Sequence, residues 1–245
     1  MNLMRIANLL LVFAVLPGVR ASAEDNSPVY TQSYVLLIKG SPAGNEKVTE
    51  SINEAGNIVS ASDHEILLTD GLETKRMAFS TKLQLSKNSY LPISYSYKYT
   101  GGDSGDSYEV SVKGEQISRT LIRNGHSSEV EAAFQPNTVI LDFNVYHQYD
   151  YLVRRYDVVK GGRQVFSDFV PLIGTDIPLA LTALGDSELK YENGSIPVSN
   201  YRFEFVGITG GTLSVDKNKR LVRVQIPAQD LEVVRKDLLP ATAAN

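Results

Sequence analysis

Apolar and polar residues alternate along most of this chain, and the alternation predicts strands with one dry and one wet face. In Lys75 to Ser86, Met77, Phe79, Thr81, Leu83 and Leu85 fall on one side, with Arg76, Ala78, Ser80, Lys82 and Gln84 on the other. Tyr95, Tyr97 and Tyr99 repeat the pattern, as do Tyr108, Val110 and Val112; the polar stretch Gly101 to Ser107 between them makes a hairpin. Near the C-terminus Tyr201, Phe203 and Phe205, then Leu213 and Val215, then Val222, Val224 and Ile226 form three strands in series. Further strands are expected at Ser33 to Lys39, Glu65 to Thr69, Glu115 to Ile122, Ser128 to Phe134 and Gln164 to Val170. Roughly ten to twelve short strands joined by tight turns predict a mainly β fold, a curved antiparallel meander sheet or half-open barrel. A sheet apolar on one face must curl round its own core, pack on a second sheet or be covered by a helix.

The covering element is expected in FNVYHQYDYLVRRYDVVKGG, residues 143 to 162, which gathers tyrosines, an arginine pair and a histidine. On a helix, Val145, Tyr149, Leu152, Val153 and Tyr156 make one stripe. His147, Asp150, Arg154 and Asp157 make the opposite, wet stripe, with a surface ion pair between Asp150 and Arg154. Asn144 or Asp142 caps the start, and Gly161 with Gly162 supplies the stop. A strand template also fits, placing Phe143, Val145, His147, Tyr149, Tyr151 and Val153 together. Under either reading the tyrosines pack on the sheet with hydroxyls at its rim. If the protein binds a hydrophobic ligand, Tyr149, Leu152, Val153 and Tyr156 are the residues expected at the mouth.

Residues 1–23 read as a secretory signal peptide: Arg5, an apolar run from Ile6 to Leu16, a Pro17–Gly18 break and the small residues Ala21 to Ala23. The apolar run is too short to span a bilayer. Residues 24–245 are expected to form one β domain, since no linker of domain-separating length interrupts them. The chain contains no cysteine, which excludes disulfides, thiolate metal sites and thiol nucleophiles. An exported chain without disulfides suits a bacterial periplasm. Asn193, Gly194 and Ser195 match a glycosylation acceptor, which in that setting reads as a plain turn. With 24 basic and 28 acidic residues there is no general attraction to nucleic acid or anionic lipid.

Catalytic motifs are absent from the sequence. The Gly-x-Ser-x-Gly elbow does not occur, and Asp103, Ser104 and Gly105 belong to a polar hairpin loop. His64, His126 and His147 are the only imidazoles, and none is paired at metal-ligand spacing. GSPAGNEK, with Gly40, Gly44 and Lys47, fails the phosphate-loop spacing, and Glu46 would repel phosphate, so it reads as a turn. Asp63, Glu65, Asp70 and Glu73 lack the register of a calcium loop. No cofactor and no metal are expected. For a hydrolase acting on an envelope polymer, His147 and Asp142 are the acid–base candidates.

The C-terminal GGTLSVDKNKRLVRVQIPAQDLEVVRKDL, with a strand, an Asp-containing turn, a strand, a proline and a last strand, resembles the ending of a family of exported Gram-negative β-proteins. YVLLIKGSPAGNEKV resembles that family's opening. The likeness implies a curved sheet similar to that of the periplasmic lipoprotein-localisation carriers, which wrap an open half-barrel round acyl chains. The single helix expected here departs from their several lid helices. The function expected is therefore a non-enzymatic periplasmic protein that binds a hydrophobic or lipid-like ligand or assists envelope assembly. The alternatives are the hydrolase above and a scaffold that offers an exposed strand edge to another envelope protein.

Overall fold

The computed structural model describes residues 29–70, 73–101, 105–192 and 194–240. The signal-peptide stretch 1–23, Asn193 of the glycosylation match and Asp103 and Ser104 lie outside them. Fifteen strands form one sheet. The first meander runs β1 (Tyr30–Ile38), β2 (Ser41–Ile52), β3 (Ile58–Asp70), β4 (Glu73–Leu85), β5 (Pro92–Tyr99), β6 (Ser107–Lys113), β7 (Gln116–Arg123) and β8 (His126–Ala133). The chain then passes through a short β9 (Thr138–Val139), a 3-10 turn (Tyr146–Gln148) and the helix α1 (Tyr149–Arg155). A second meander follows: β10 (Arg163–Val170), β11 (Thr175–Tyr191), β12 (Gly194–Phe205), β13 (Thr209–Val215), β14 (Leu221–Ile226) and β15 (Leu231–Arg235).

The two meanders meet where β15 pairs antiparallel with β1, Tyr34 opposite Arg235 and Ile38 opposite Leu231. β8 and β9 are left as the two edges of a sheet that does not close. Among the described residues, only β9 and β10 pair in parallel. Two-residue turns suit such a meander: Lys39 and Gly40 both take positive φ, 51° and 75°, the hairpin geometry whose twist matches that of the strands. The edge strand β8 is largely exposed and reads HSSEVEAA, a charged and polar surface that discourages pairing with other chains.

The sheet curls around the segment between β9 and β10. Ile66 and Phe79 on β3 and β4 share one core with Leu179 and Phe203 on β11 and β12, although six strands separate β4 from β12 in sheet order. Val145, Tyr149, Leu152, Val153 and Tyr156 fill the space between these walls. The predicted apolar stripe therefore packs as expected, and the helix reading of 149–155 holds over the strand one. Three expectations for this segment fail. His147 and Asp150, placed on the wet side, are 1% and 2% exposed, because the helix is surrounded by sheet rather than laid on it. Arg154 forms no ion pair with Asp150 and instead lies over the rings of Tyr90 and Tyr151, at 5.4 and 5.7 Å. The helix stops at Arg155, well before Gly161, since the Asp157 carboxylate accepts the backbone N–H groups of Val159 and Lys160 and holds a turn there.

On the outer face, the β11–β12 hairpin bends at Gly185, where the register shifts and φ is 97°. Beyond the bend, Leu189, Tyr191, Ile196 and Val198 pack with Val35, Leu37, Val222 and Val234 of β1, β14 and β15. This satellite core buries the outer surface of the strands at which the two meanders join.

Candidate functional site: an apolar cleft beside a polar interior

Two features of the interior carry chemistry. The first is a cleft of about 380 Å³, lined by the 141–149 segment, the β10–β11 turn, the β12–β13 turn and the end of β14. Leu141, Val145, Tyr149, Phe205 and Ile226 make its walls. At its rim Phe143, Leu172 and Ile208 are 52%, 38% and 66% exposed. Apolar side chains of this size grouped in the open beside an apolar hollow mark a binding surface more often than an ordinary one.

Of the four residues expected at a ligand mouth, Tyr149 lines this cleft. Leu152 faces a much smaller gap against Leu83 and Leu85, and Val153 and Tyr156 belong to the filled core. Tyr156 donates its hydroxyl hydrogen to the carbonyl of Gly162 at 2.7 Å, tying the helix exit to the start of β10.

The second feature is a belt of polar groups on the inner faces of β2, β3 and β4: Glu46, Glu50, Ser60, Ser62, His64 and Thr81, all buried. The polar side of the plug meets this belt. Glu46 accepts the backbone N–H groups of Tyr146 and His147, each at 3.2 Å, and the Nδ1–H of His147 at 2.5 Å. The 3-10 turn is thus capped from β2, a role assigned on the sequence to Asp142 or Asn144. Burial pushes the Glu46 carboxyl up, but His64, His147 and the N–H donors outweigh it and hold the pKa below its ordinary value. His64 Nε2 lies 3.9 Å from Glu46 Oε1 and 2.7 Å from the Ser62 hydroxyl, which is 2.6 Å from that of Thr81. Burial pushes His64 down to about 4, so it is neutral at neutral pH.

Next along β2, Glu50 takes a two-pronged ion pair from Arg220 at 2.7 and 2.8 Å and a bond from the Tyr151 hydroxyl at 2.8 Å. Burial raises the Glu50 carboxyl and these donors more than offset it, leaving it lowered. Arg220 also reaches Asp150 at 3.3 Å and stacks 3.8 Å over Tyr30. Burial pushes Asp150 up to about 6 even so, although its other oxygen accepts the Leu221 N–H at 2.6 Å.

Asp142 lies in the cleft wall, but its carboxylate is occupied. Tyr95 donates to it at 2.8 Å, Tyr108 donates a very short bond to the same oxygen, and the Phe143 N–H takes the other at 2.9 Å. Burial raises its pKa despite these bonds. His147 is engaged with Glu46, so the structure does not join the acid–base pair expected of a hydrolase. Among the described residues, the one set of imidazole and carboxylate donors close enough to share a metal ion is Glu46, His64 and His147.

Glu46 was hidden within a stretch that reads as a turn. Glu50, Arg220 and the rim residues Phe143, Leu172 and Ile208 carry no local motif. A period-two count continued back from Ile66 would have put His64, Ser62 and Ser60 on the dry face, a signal masked by their polarity.

With this geometry in view, the chain is similar to the crystal structure of a β-barrel-like protein of a domain of unknown function, DUF1849, from Brucella abortus. The TM-score is 0.57 at 6% identity, covering 84% of this chain and 93% of that one. That likeness shows the fold. A DUF1089 family protein from Pseudomonas aeruginosa aligns over 91% of this chain and 98% of its own at 12% identity, with a TM-score of 0.44. No family model matches the chain, and no curated protein does. The likeness to the DUF1849 protein does not extend to a lipoprotein-localisation carrier. Among the described residues no helix is long and apolar enough to cross a membrane.

Proposed function

We propose that this is an exported, non-enzymatic protein of the periplasm, a single β domain that holds one hydrophobic or lipid-like ligand in the cleft beside Tyr149. The carrying observation is the cleft itself: apolar walls continuous with the exposed rim of Phe143, Leu172 and Ile208. Its volume lies at the small end of the range of ligand sites, roughly 300–1,000 Å³, which suits a single chain better than a multi-chain lipid. The signal-like residues 1–23 support export, and the resemblance of both chain ends to exported β-proteins supports the envelope as its place of action. A buried, fully bonded Asp142 at the cleft wall gives a polar end without a free base, which favours binding over hydrolysis.

Titration of the purified protein with a fluorescent fatty-acid analogue tests this reading. Saturable one-to-one binding is expected, weakened at least tenfold by Ile208→Asp, an exposed change that leaves the core alone. Absence of saturable binding by the wild-type protein, or binding indifferent to Ile208→Asp and Phe143→Asp alike, would overturn it.

A further inference from the structure

Separate from the cleft, the polar interior brings together two of the chain's three histidines with one carboxylate. We propose that Glu46, His64 and His147 form a binding site for a divalent transition-metal ion, with zinc the best match, that clamps the plug to the wall of the sheet.

The ligand atoms already converge. Glu46 Oε1 is 2.5 Å from His147 Nδ1 and 3.9 Å from His64 Nε2, and one donor atom of each residue lies within 4.8 Å of the other two. Zinc bonds of about 2.0–2.2 Å in a tetrahedral arrangement put neighbouring ligands about 3.3 Å apart, so the spacings seen here bracket the required one. The donor set is one oxygen and two imidazole nitrogens, which suits zinc and its neighbours in the first transition row and not calcium or magnesium. Imidazole ligates in its neutral form. On binding, the ion takes the place of the proton between His147 and Glu46, and the ring carries its proton on Nε2 instead.

The surroundings hold His64 and Glu46 in place. The His64 ring stacks on Phe79 with centroids 4.3 Å apart and planes 7° from parallel. Glu46 is fixed by the backbone N–H groups of Tyr146 and His147, the kind of outer-shell bond that orients metal ligands. Ligation by His64 Nε2 would replace its 2.7 Å bond to the Ser62 hydroxyl, freeing that hydroxyl, still bonded to Thr81, to hold a water in the fourth position. All three ligands are buried, so a bound ion would be shielded from solvent and would act on the fold. They come from β2, β3 and the plug, and Glu46 and His147 are 101 residues apart, so the ion would cross-link the central segment to the first meander.

The test uses the full chain stripped with a chelator and titrated with zinc chloride, followed by calorimetry and thermal unfolding. One zinc per chain is expected, with a rise in melting temperature that a chelator reverses. His64→Gln keeps the Glu46–His147 pair and should weaken zinc binding about 100-fold, at least as much as losing an outer-shell partner does, and abolish the thermal gain. His126→Ala, which changes an exposed histidine on β8, should bind like the wild type. Failure of the wild type to take up stoichiometric zinc overturns the proposal, as does uptake unchanged in His64→Gln or lost in His126→Ala. None of these readouts depends on the fluorescent ligand, so the metal site and the cleft stand or fall separately.

Discussion

Glu46 and His147, 101 residues apart in the chain, meet at 2.5 Å in the middle of the curled sheet, and the same carboxylate also accepts the His147 backbone N–H. The segment that fills the interior is therefore anchored at its entry by an ionised group on the wall. Removing the shared acceptor of several buried hydrogen bonds leaves the donors unpaired, at a cost of about 1–3 kcal/mol for each. Glu46→Leu strands two backbone N–H groups and an imidazole, and urea unfolding of this variant should show a loss of that size. His126→Ala, at the exposed edge, should change stability by no more than about 0.5 kcal/mol.

Asp150 carries a pH signature of opposite sense to that of an ordinary paired carboxylate. Burial outweighs the favourable fields of Arg220 and Arg154 and the Leu221 N–H bond, and its pKa in the folded chain is about 6 against an ordinary value of 3.8. The folded state therefore binds more protons than the unfolded state between these values, and stability from this group falls as pH rises through that window, then levels off above it. At about 1.4 kcal/mol per pKa unit, the full change is on the order of 3 kcal/mol. In Asp150→Asn this component disappears. Chemical unfolding of both proteins at several values between pH 4 and pH 7 should show the wild type losing ground to the variant up to about pH 6. A difference independent of pH would refute the assignment.

The curved antiparallel meander could be read in the sequence wherever the inner face is greasy. Phe79, Leu83 and Leu85 on β4, and Tyr201 and Phe203 on β12, alternate as they must on a wall with one dry side. Reading failed on β2 and the first half of β3, where the inward positions are Glu46, Glu50, Ser60, Ser62 and His64. There dyad periodicity persists but apolar chemistry does not, because the wall faces the polar side of the plug. The same cause misplaced His147 and Asp150: helical periodicity separates two faces correctly but does not say that the polar face meets another protein surface instead of water. The long β11 was missed for a different reason. Its outer half, Leu184 to Lys190, is mostly exposed and its pattern breaks at the Gly185 bend.

Two apolar residues nine positions apart on the 141–156 segment should behave in opposite ways. Leu152 is fully buried among core side chains of the plug, whereas Phe143 projects from the cleft rim. Leu152→Ala creates a cavity and should cost about 2–5 kcal/mol. Phe143→Ala should stay within about 0.5 kcal/mol of the wild type in the same unfolding experiment. Equal losses would mean that Phe143 is part of the core and that the cleft is not open there.

Arg220 offers the sharpest test of how the second meander holds the plug. It lies just before β14, stacks on Tyr30 at the start of β1 and pairs with Glu50 on β2 and Asp150 on α1, so one guanidinium joins the far half of the sheet to the near half and to the helix. Arg220→Leu leaves two buried carboxylates facing each other and should cost about 3–5 kcal/mol at neutral pH. The cost should shrink in acid, as Glu50 and Asp150 take up protons and cease to repel. Adding Glu50→Gln to Arg220→Leu removes one of the two stranded charges and keeps an acceptor for the Tyr151 hydroxyl, so the double variant should be more stable than Arg220→Leu alone. Urea midpoints for the wild type, both single variants and the double variant give the coupling directly. If the double variant is no more stable than Arg220→Leu, the guanidinium acts through its packing on Tyr30 and not through the charges it neutralises.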